Sequence, residues 1–259
     1  MPLVVSQPVP GGRVLLLDRP TLRNALDLDL VESLHAAIDT ACADERARTI
    51  VIGSAHPGMF CAGADLTIPD AERARVSDRL YALYEKLLRS DLPVIAAVDG
   101  AAVGGGAQLV LAADIRLLSG RARLRVAGPA HGLAVGAWAL PSLVGRDLAM
   151  KLILGQTFLS AEQAVQSGLT HEIAVDPLGE ALRLAERISG LDRYAIARSK
   201  RLVIDGERLT ERLTTERAGN RAVFTGAIGA VPRTGAGTVS TAGTVSTDST
   251  VSTDSTVST

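Results

Sequence analysis

Apolar residues are spaced along this chain in two alternating rhythms. Residues 13–17, 49–53, 94–98 and 115–119 are short runs rich in Val, Ile, Leu or Ala, bounded by Gly, Pro or Asp. Such runs predict buried strands. Between them apolar positions recur every three or four residues. Residues 24–43 carry Leu26, Leu30, Leu34, Ala37, Ile38 and Ala41 in this spacing, and residues 71–90 carry Leu80, Leu83, Tyr84, Leu87 and Leu88. Both predict helices packed by one face. Further helices are expected over 107–113, 148–154, 160–167 and 178–188, the third opened by Ser160 with Gln163 three positions on, a capping-box pair. Alternation of strand and helix predicts an α/β fold with several strand–helix crossovers.

The strand at 94–98 runs into a turn holding Gly100, Gly104, Gly105 and Gly106 before apolar residues resume at 109–113. Glycine lets backbone approach a ligand closely, and N–H groups at a helix start suit developing negative charge. Gln108 follows the glycines and offers an amide that cannot exchange a proton near neutral pH. A second small-residue segment, Phe60-Cys-Ala-Gly-Ala-Asp-Leu66, ends a Gly- and Pro-containing loop over 55–64.

Composition narrows the classes. A chain of 259 residues, 47% hydrophobic, can bury a sizeable core. A net charge of -1 gives no reason to expect nucleic acid or an anionic membrane surface as partner. Cys42 and Cys61 do not imply a disulfide framework. Arg13, Asp18 and Arg19 interrupt the N-terminal region early, so no secretory signal is expected, and no apolar run is long enough to predict a membrane span. The expected location is the cytoplasm. Residues 238–259 repeat TVSTAG and TVSTDS, with valine as the sole apolar anchor. Such a segment has too little apolar surface to offset the entropy of ordering, and disorder is expected there.

Taken together, Phe60–Leu66 and the segment from Asp99-Gly-Ala-Ala-Val-Gly-Gly-Gly106 through Asp114-Ile115 resemble the crotonase superfamily, which includes enoyl-CoA hydratases and isomerases. Arg19-Pro20, Arg23-Asn24-Ala25-Leu26, Gly132-Leu133, Leu143-Val144-Gly145 and Ser160-Ala-Glu-Gln-Ala164 with Gly168-Leu169 extend the resemblance over about residues 10–205. It implies a ββα-repeat spiral core over residues 1–195, a C-terminal helical region over 196–233, and the repeat tail over 234–259. It implies an acyl-CoA thioester as ligand, with coenzyme A part of the substrate and no separate cofactor or metal, and a homotrimer or hexamer. In this family two backbone N–H groups hold an enolate-like oxyanion on the thioester oxygen, and here they map to Ala64 and Gly105. Donors of this kind are typically worth about 2.7–4 kcal/mol each. The resemblance also places Arg23, Ala25, Ala62, Asp65, Leu66 and Gly104 along the substrate, with Arg23 able to pair with a CoA phosphate and Asp65 able to face the nucleotide or cap local backbone. Trp138 is expected to wall the acyl pocket or to pack in the core.

The resemblance fails where hydration needs it. The family's hydratases use two glutamates, and the matching positions here are Gln108 and Gly128, or Ala130 or His131 if the second match is shifted, none of them a carboxylate. General acid–base work needs titratable groups within hydrogen-bond reach of the reacting atoms. The expected activity is therefore that of a hydratase/isomerase-family lyase or isomerase with atypical acid/base residues, and the alternative is a non-catalytic acyl-CoA carrier. His131 is the nearest titratable replacement, though its position also suits a core histidine. Tyr81 or Tyr84, on the helix that lines the acyl pocket in this family, could supply a phenol or simply pack.

Overall fold

The computed structural model describes residues 2–224, apart from the side chain of Asp70. The repeat tail and the end of the expected C-terminal region lie outside the described residues. In chain order the strands are β1 (Val4–Val9), β2 (Gly12–Leu17), β3 (Thr49–Ser54), β4 (Met59–Cys61), β5 (Val94–Val98), β6 (Ala101–Val103), β7 (Ile115–Ser119), β8 (Arg123–Arg125), β9 (Leu159–Ser160) and β10 (Ile173–Ala174). The helices are α1 (Leu28–Ala43), α2 (Asp70–Arg89), α3 (Gly105–Ala112), α4 (Leu140–Val144), α5 (Arg146–Gly155), α6 (Ala161–Gln166), α7 (Pro177–Ile188), α8 (Arg193–Gly206) and α9 (Leu209–Phe224).

Two sheets result. The larger runs β1-β2-β3-β5-β7-β10, parallel except for the antiparallel β1–β2 hairpin. The smaller runs β4-β6-β8-β9. The predicted strands at 13–17, 49–53, 94–98 and 115–119 form the centre of the larger sheet. Alternation along them decides the packing, because successive side chains point to opposite faces. Val14, Val51 and Ile95 face α7 and pack on Ala181 and Ala185. Leu15, Leu17, Ile50, Ile52, Val94 and Ala96 face the other way and join the main core with α1, α2 and α3. The sheet is thus covered on both faces, as parallel strands require.

The helix expected from residue 24 starts later, at Leu28, capped by the Asp27 carboxylate on the Leu30 N–H at 2.9 Å. Asn24 is the reason. Its side chain accepts the Arg19 N–H and donates to Ser54 Oγ and to the Phe60 carbonyl, which holds Arg23 and Asn24 in left-handed backbone. Asparagine tolerates that region better than most residues. Leu26 is freed to pair with Ala64 as an isolated parallel bridge. The boundary expected at 195 falls inside α8, and α8 is tied to the core by Lys200. Its buried ammonium donates to the Leu87 and Leu92 carbonyls and pairs with Asp114 at 2.8 Å.

Candidate active site

The two small-residue segments meet. Gly63 takes a positive φ of 94°, and a Cβ added there would lie 2.6 Å from the Val103 carbonyl and 3.6 Å from Gly105 N. Gly106 presses on Cys61, where an added Cβ would fall 2.6 Å from Cys61 Cβ. Glycine is required at both because backbone lies on backbone.

This contact aims two N–H groups. The Leu26 N–H donates to the Gly63 carbonyl and the Asp65 N–H to the Leu26 carbonyl, so Ala64 between them turns its own N–H away from Leu26. Gly105 opens α3, and the first N–H groups of a helix have no partner within it. Among the described residues, neither N–H donates to another group. Gly104, at φ 51°, makes the corner, and its own N–H is held by the Arg125 carbonyl. The Tyr84 hydroxyl donates to the Gly105 carbonyl at 2.9 Å and steadies the following peptide.

A cavity of about 140 Å³ opens beside these donors. Ala62, Ala64, Leu66, Gly104, Gly105, Gln108 and His131 line it, together with α2 side chains that include Leu80 and Tyr81. Arg23, Ala25, Asp65 and Trp138 are not among the lining residues. Arg23 is exposed and its carbonyl accepts the Ala62 N–H, while Ala25 is buried. Asp65 is buried, with Thr67 Oγ1 and N–H and the Arg19 guanidinium on its carboxylate. These partners, the Thr67 hydroxyl foremost, hold Asp65 below the usual carboxylate range.

Trp138 reaches the cavity only through Gln108. Its indole N–H donates to Gln108 Oε1 at 2.9 Å. Indole is a donor only, so the amide oxygen faces Trp138 and the NH₂ group turns to the Tyr81 phenol. Gly128 cannot be replaced by a glutamate without movement. A Cβ there would lie 2.6 Å from the Leu133 carbonyl and 2.7 Å from Val135 Cγ2. His131 is exposed at the cavity wall rather than in the core.

One carboxylate near the site was not foreseen from sequence. Glu216 of α9 is buried, and its Oε1 accepts the Tyr81 hydroxyl at 2.6 Å and the Gly136 N–H, while Oε2 accepts the Trp138 N–H. Burial raises its pKa from the ordinary value, against the pull of these donors. Asn220 Nδ2 donates to the same phenol at 2.8 Å. Burial, and then the adjoining carboxylate, push the Tyr81 hydroxyl well above its ordinary pKa. The signal in the sequence was faint: Glu216 and Asn220 lie on the helical stripe that begins at Leu213, where core residues are expected.

The fold and this pair of facing loops define a class. Residues 13–230 match the enoyl-CoA hydratase/isomerase family model, and the chain belongs to that family. Among its relatives is the probable enoyl-CoA hydratase echA6 of Mycobacterium leprae, 36% identical over 78% of this chain and 82% of that protein. The human mitochondrial methylglutaconyl-CoA hydratase is 34% identical over 66% of this chain and 53% of that protein. An enoyl-CoA hydratase structure from Bacillus halodurans superimposes with a TM-score of 0.77 at 26% identity, covering 86% of this chain and 95% of the other. The Pseudomonas aeruginosa protein PA4980 gives 0.72 at 34% identity, over 84% and 98%.

Proposed function

We propose that this protein acts on acyl-CoA thioesters, holding the thioester oxygen between the N–H groups of Ala64 and Gly105 and stabilising an enolate-like oxyanion there, without ordinary hydratase activity. The observation that carries the reading is the pair of free N–H groups turned toward one cavity by Gly63 and Gly104. Hydration needs a base for water and an acid for the α-carbon. Gln108 offers an amide, held between Trp138 and Tyr81, that titrates neither way. Residue 128 has neither a side chain nor room for one. The reaction class is then a lyase or isomerase chemistry that runs through the same oxyanion. Arg23 is exposed beside the Ala62 loop, and its guanidinium suits a CoA phosphate. The family resemblance further suggests a cytoplasmic homotrimer or hexamer, which analytical ultracentrifugation tests.

A second reading, a carrier that binds acyl-CoA without turning it over, has one observation in its favour: among the described residues no carboxylate lines the cavity. Crotonyl-CoA decides between these readings and plain hydration. Loss of enoyl-thioester absorbance is followed while binding is measured by calorimetry. Binding with no hydration is expected. Hydration at the rate of a two-glutamate enzyme would overturn the proposal, and absence of binding would overturn both readings.

A further inference from the structure

The inner end of the cavity is a wall built by two helices. From α2 come Val76, Ser77, Leu80 and Tyr81, whose helical spacing stacks them on one face. From α9 come Asn220 and Phe224, one helical turn apart. Behind this wall lies a second cavity of about 240 Å³, between the same two helices and beside the Asp78–Arg217 pair. Ser77, Tyr81 and Phe224 line both spaces. They form a partition, one side chain thick, between the cavity beside the oxyanion donors and the one behind it.

The partition is braced. A phenol at the end of an apolar pocket is costly unless its hydroxyl is satisfied. Tyr81 donates to Glu216 Oε1 at 2.6 Å and accepts from Asn220 Nδ2 at 2.8 Å and from the Gln108 amide. Its proton and both lone pairs are therefore spent inside the protein. The ring meets Tyr84 edge-on, with centroids 5.8 Å apart. Asn220 gives its amide hydrogens to Tyr81 and to the Ala134 carbonyl, and accepts the Ala134 N–H. Glu216 is held in turn by the Gly136 and Trp138 N–H groups. Turning Tyr81 aside would leave a buried carboxylate and two buried amides short of a partner, so the wall resists a longer chain. Phe224 is half-buried, and its ring closes its share of the partition by bulk.

Resting on the thioester reading above, we propose that Ser77, Tyr81 and Phe224 are specificity-determining residues that confine this site to short-chain acyl thioesters. The cavity of about 140 Å³ sets the length. An apolar cavity of about 150 Å³ takes up benzene, so this one has room for about six non-hydrogen atoms. The thioester carbonyl uses two of them, which leaves about four further carbons, an acyl chain of about five in all. Each methylene buried in the cavity adds about fourfold in affinity until the chain meets the partition. Beyond that point an added carbon must displace a braced wall or remain in water.

Calorimetry of the full-length protein with acetyl-, butyryl-, hexanoyl- and decanoyl-CoA tests this. Affinity is expected to rise about tenfold from acetyl to butyryl, to level off at hexanoyl, and to fall at decanoyl about tenfold below butyryl. Phe224→Ala removes the ring and joins the two cavities, and its decanoyl-to-butyryl affinity ratio is expected to rise about tenfold. Adding Ser77→Leu from the facing helix refills the partition and is expected to bring that ratio back toward the wild-type value. Decanoyl-CoA bound by wild type as tightly as butyryl-CoA overturns the proposal and leaves the thioester reading intact. An unchanged ratio in Phe224→Ala overturns it as well. Absence of binding by every acyl-CoA overturns the thioester reading beneath it.

Discussion

At the scale of single residues, the site depends on positions that have no side chain to spare. Gly63 sits at φ 94° with Val103 backbone 2.6 Å from where a Cβ would be. Gly63→Ala must push the two loops apart, and strain at such a position costs roughly 1–3 kcal/mol. The expected result is a lower melting temperature together with a loss of acyl-CoA affinity larger than the stability loss accounts for. Trp138 offers a gentler probe. Trp138→Phe leaves Gln108 Oε1 buried without its indole donor, a cost of about 1–3 kcal/mol. The freed amide can then turn, so butyryl-CoA binding should weaken in calorimetry while the secondary structure by circular dichroism stays the same.

At the scale of elements, α1 and the Ala64 loop are joined by one guanidinium. Arg19 pairs with Asp27, the cap of α1, at 2.7 Å and with Asp65 at 3.1 Å, and also donates to the Ala25 carbonyl. Arg19→Met leaves the Asp65 carboxylate buried beside Thr67 alone, and breaking such a pair costs about 3 kcal/mol. Asp65 has a folded pKa depressed below 3.8, so its contribution is present above that value and is lost as pH falls through the lower, folded one. The melting-temperature gap between wild type and Arg19→Met should therefore be widest near neutral pH and narrow below about pH 4; a gap that persists in acid would refute the ionic account. These same elements show what the sequence made legible. Long runs with a clear period, such as α2 and β3, were readable because burial of one face or both imposes the pattern. Strands of two or three residues, such as β4, β6, β8 and β9, were not, because no period can be seen over so few positions. The small sheet they form carries both small-residue loops, so the loops were visible by motif while their support was not. Tyr81 was visible as a helix residue on the acyl side, but its partner Glu216 lies on a helix of low hydrophobic content whose docking depends on tertiary contacts.

At the scale of the whole molecule, α9 closes the site. Leu213 is buried in the main core, and Arg217 pairs with Asp78 of α2 through both guanidinium arms at 2.9 Å. Leu213→Ala is expected to cost about 2–5 kcal/mol. Since Trp138 is the single tryptophan of the chain and its backbone N–H donates to Glu216, its emission reports whether α9 is seated. A red shift in Leu213→Ala before global unfolding would show α9 leaving first, whereas a single coincident transition would show that the helix and core unfold together.

Tyr81 and Glu216 meet across 135 positions of sequence. During synthesis at about 5–20 residues per second, Glu216 follows Tyr81 out of the ribosome by roughly 7–27 s. Through that interval a nascent chain has both loops, yet the Gly136 and Trp138 N–H groups lack the carboxylate that holds them. Chains arrested before Leu209 should accordingly bind butyryl-CoA more weakly than the full-length protein. The 134–138 turn is therefore set only by the last described helix, late in synthesis.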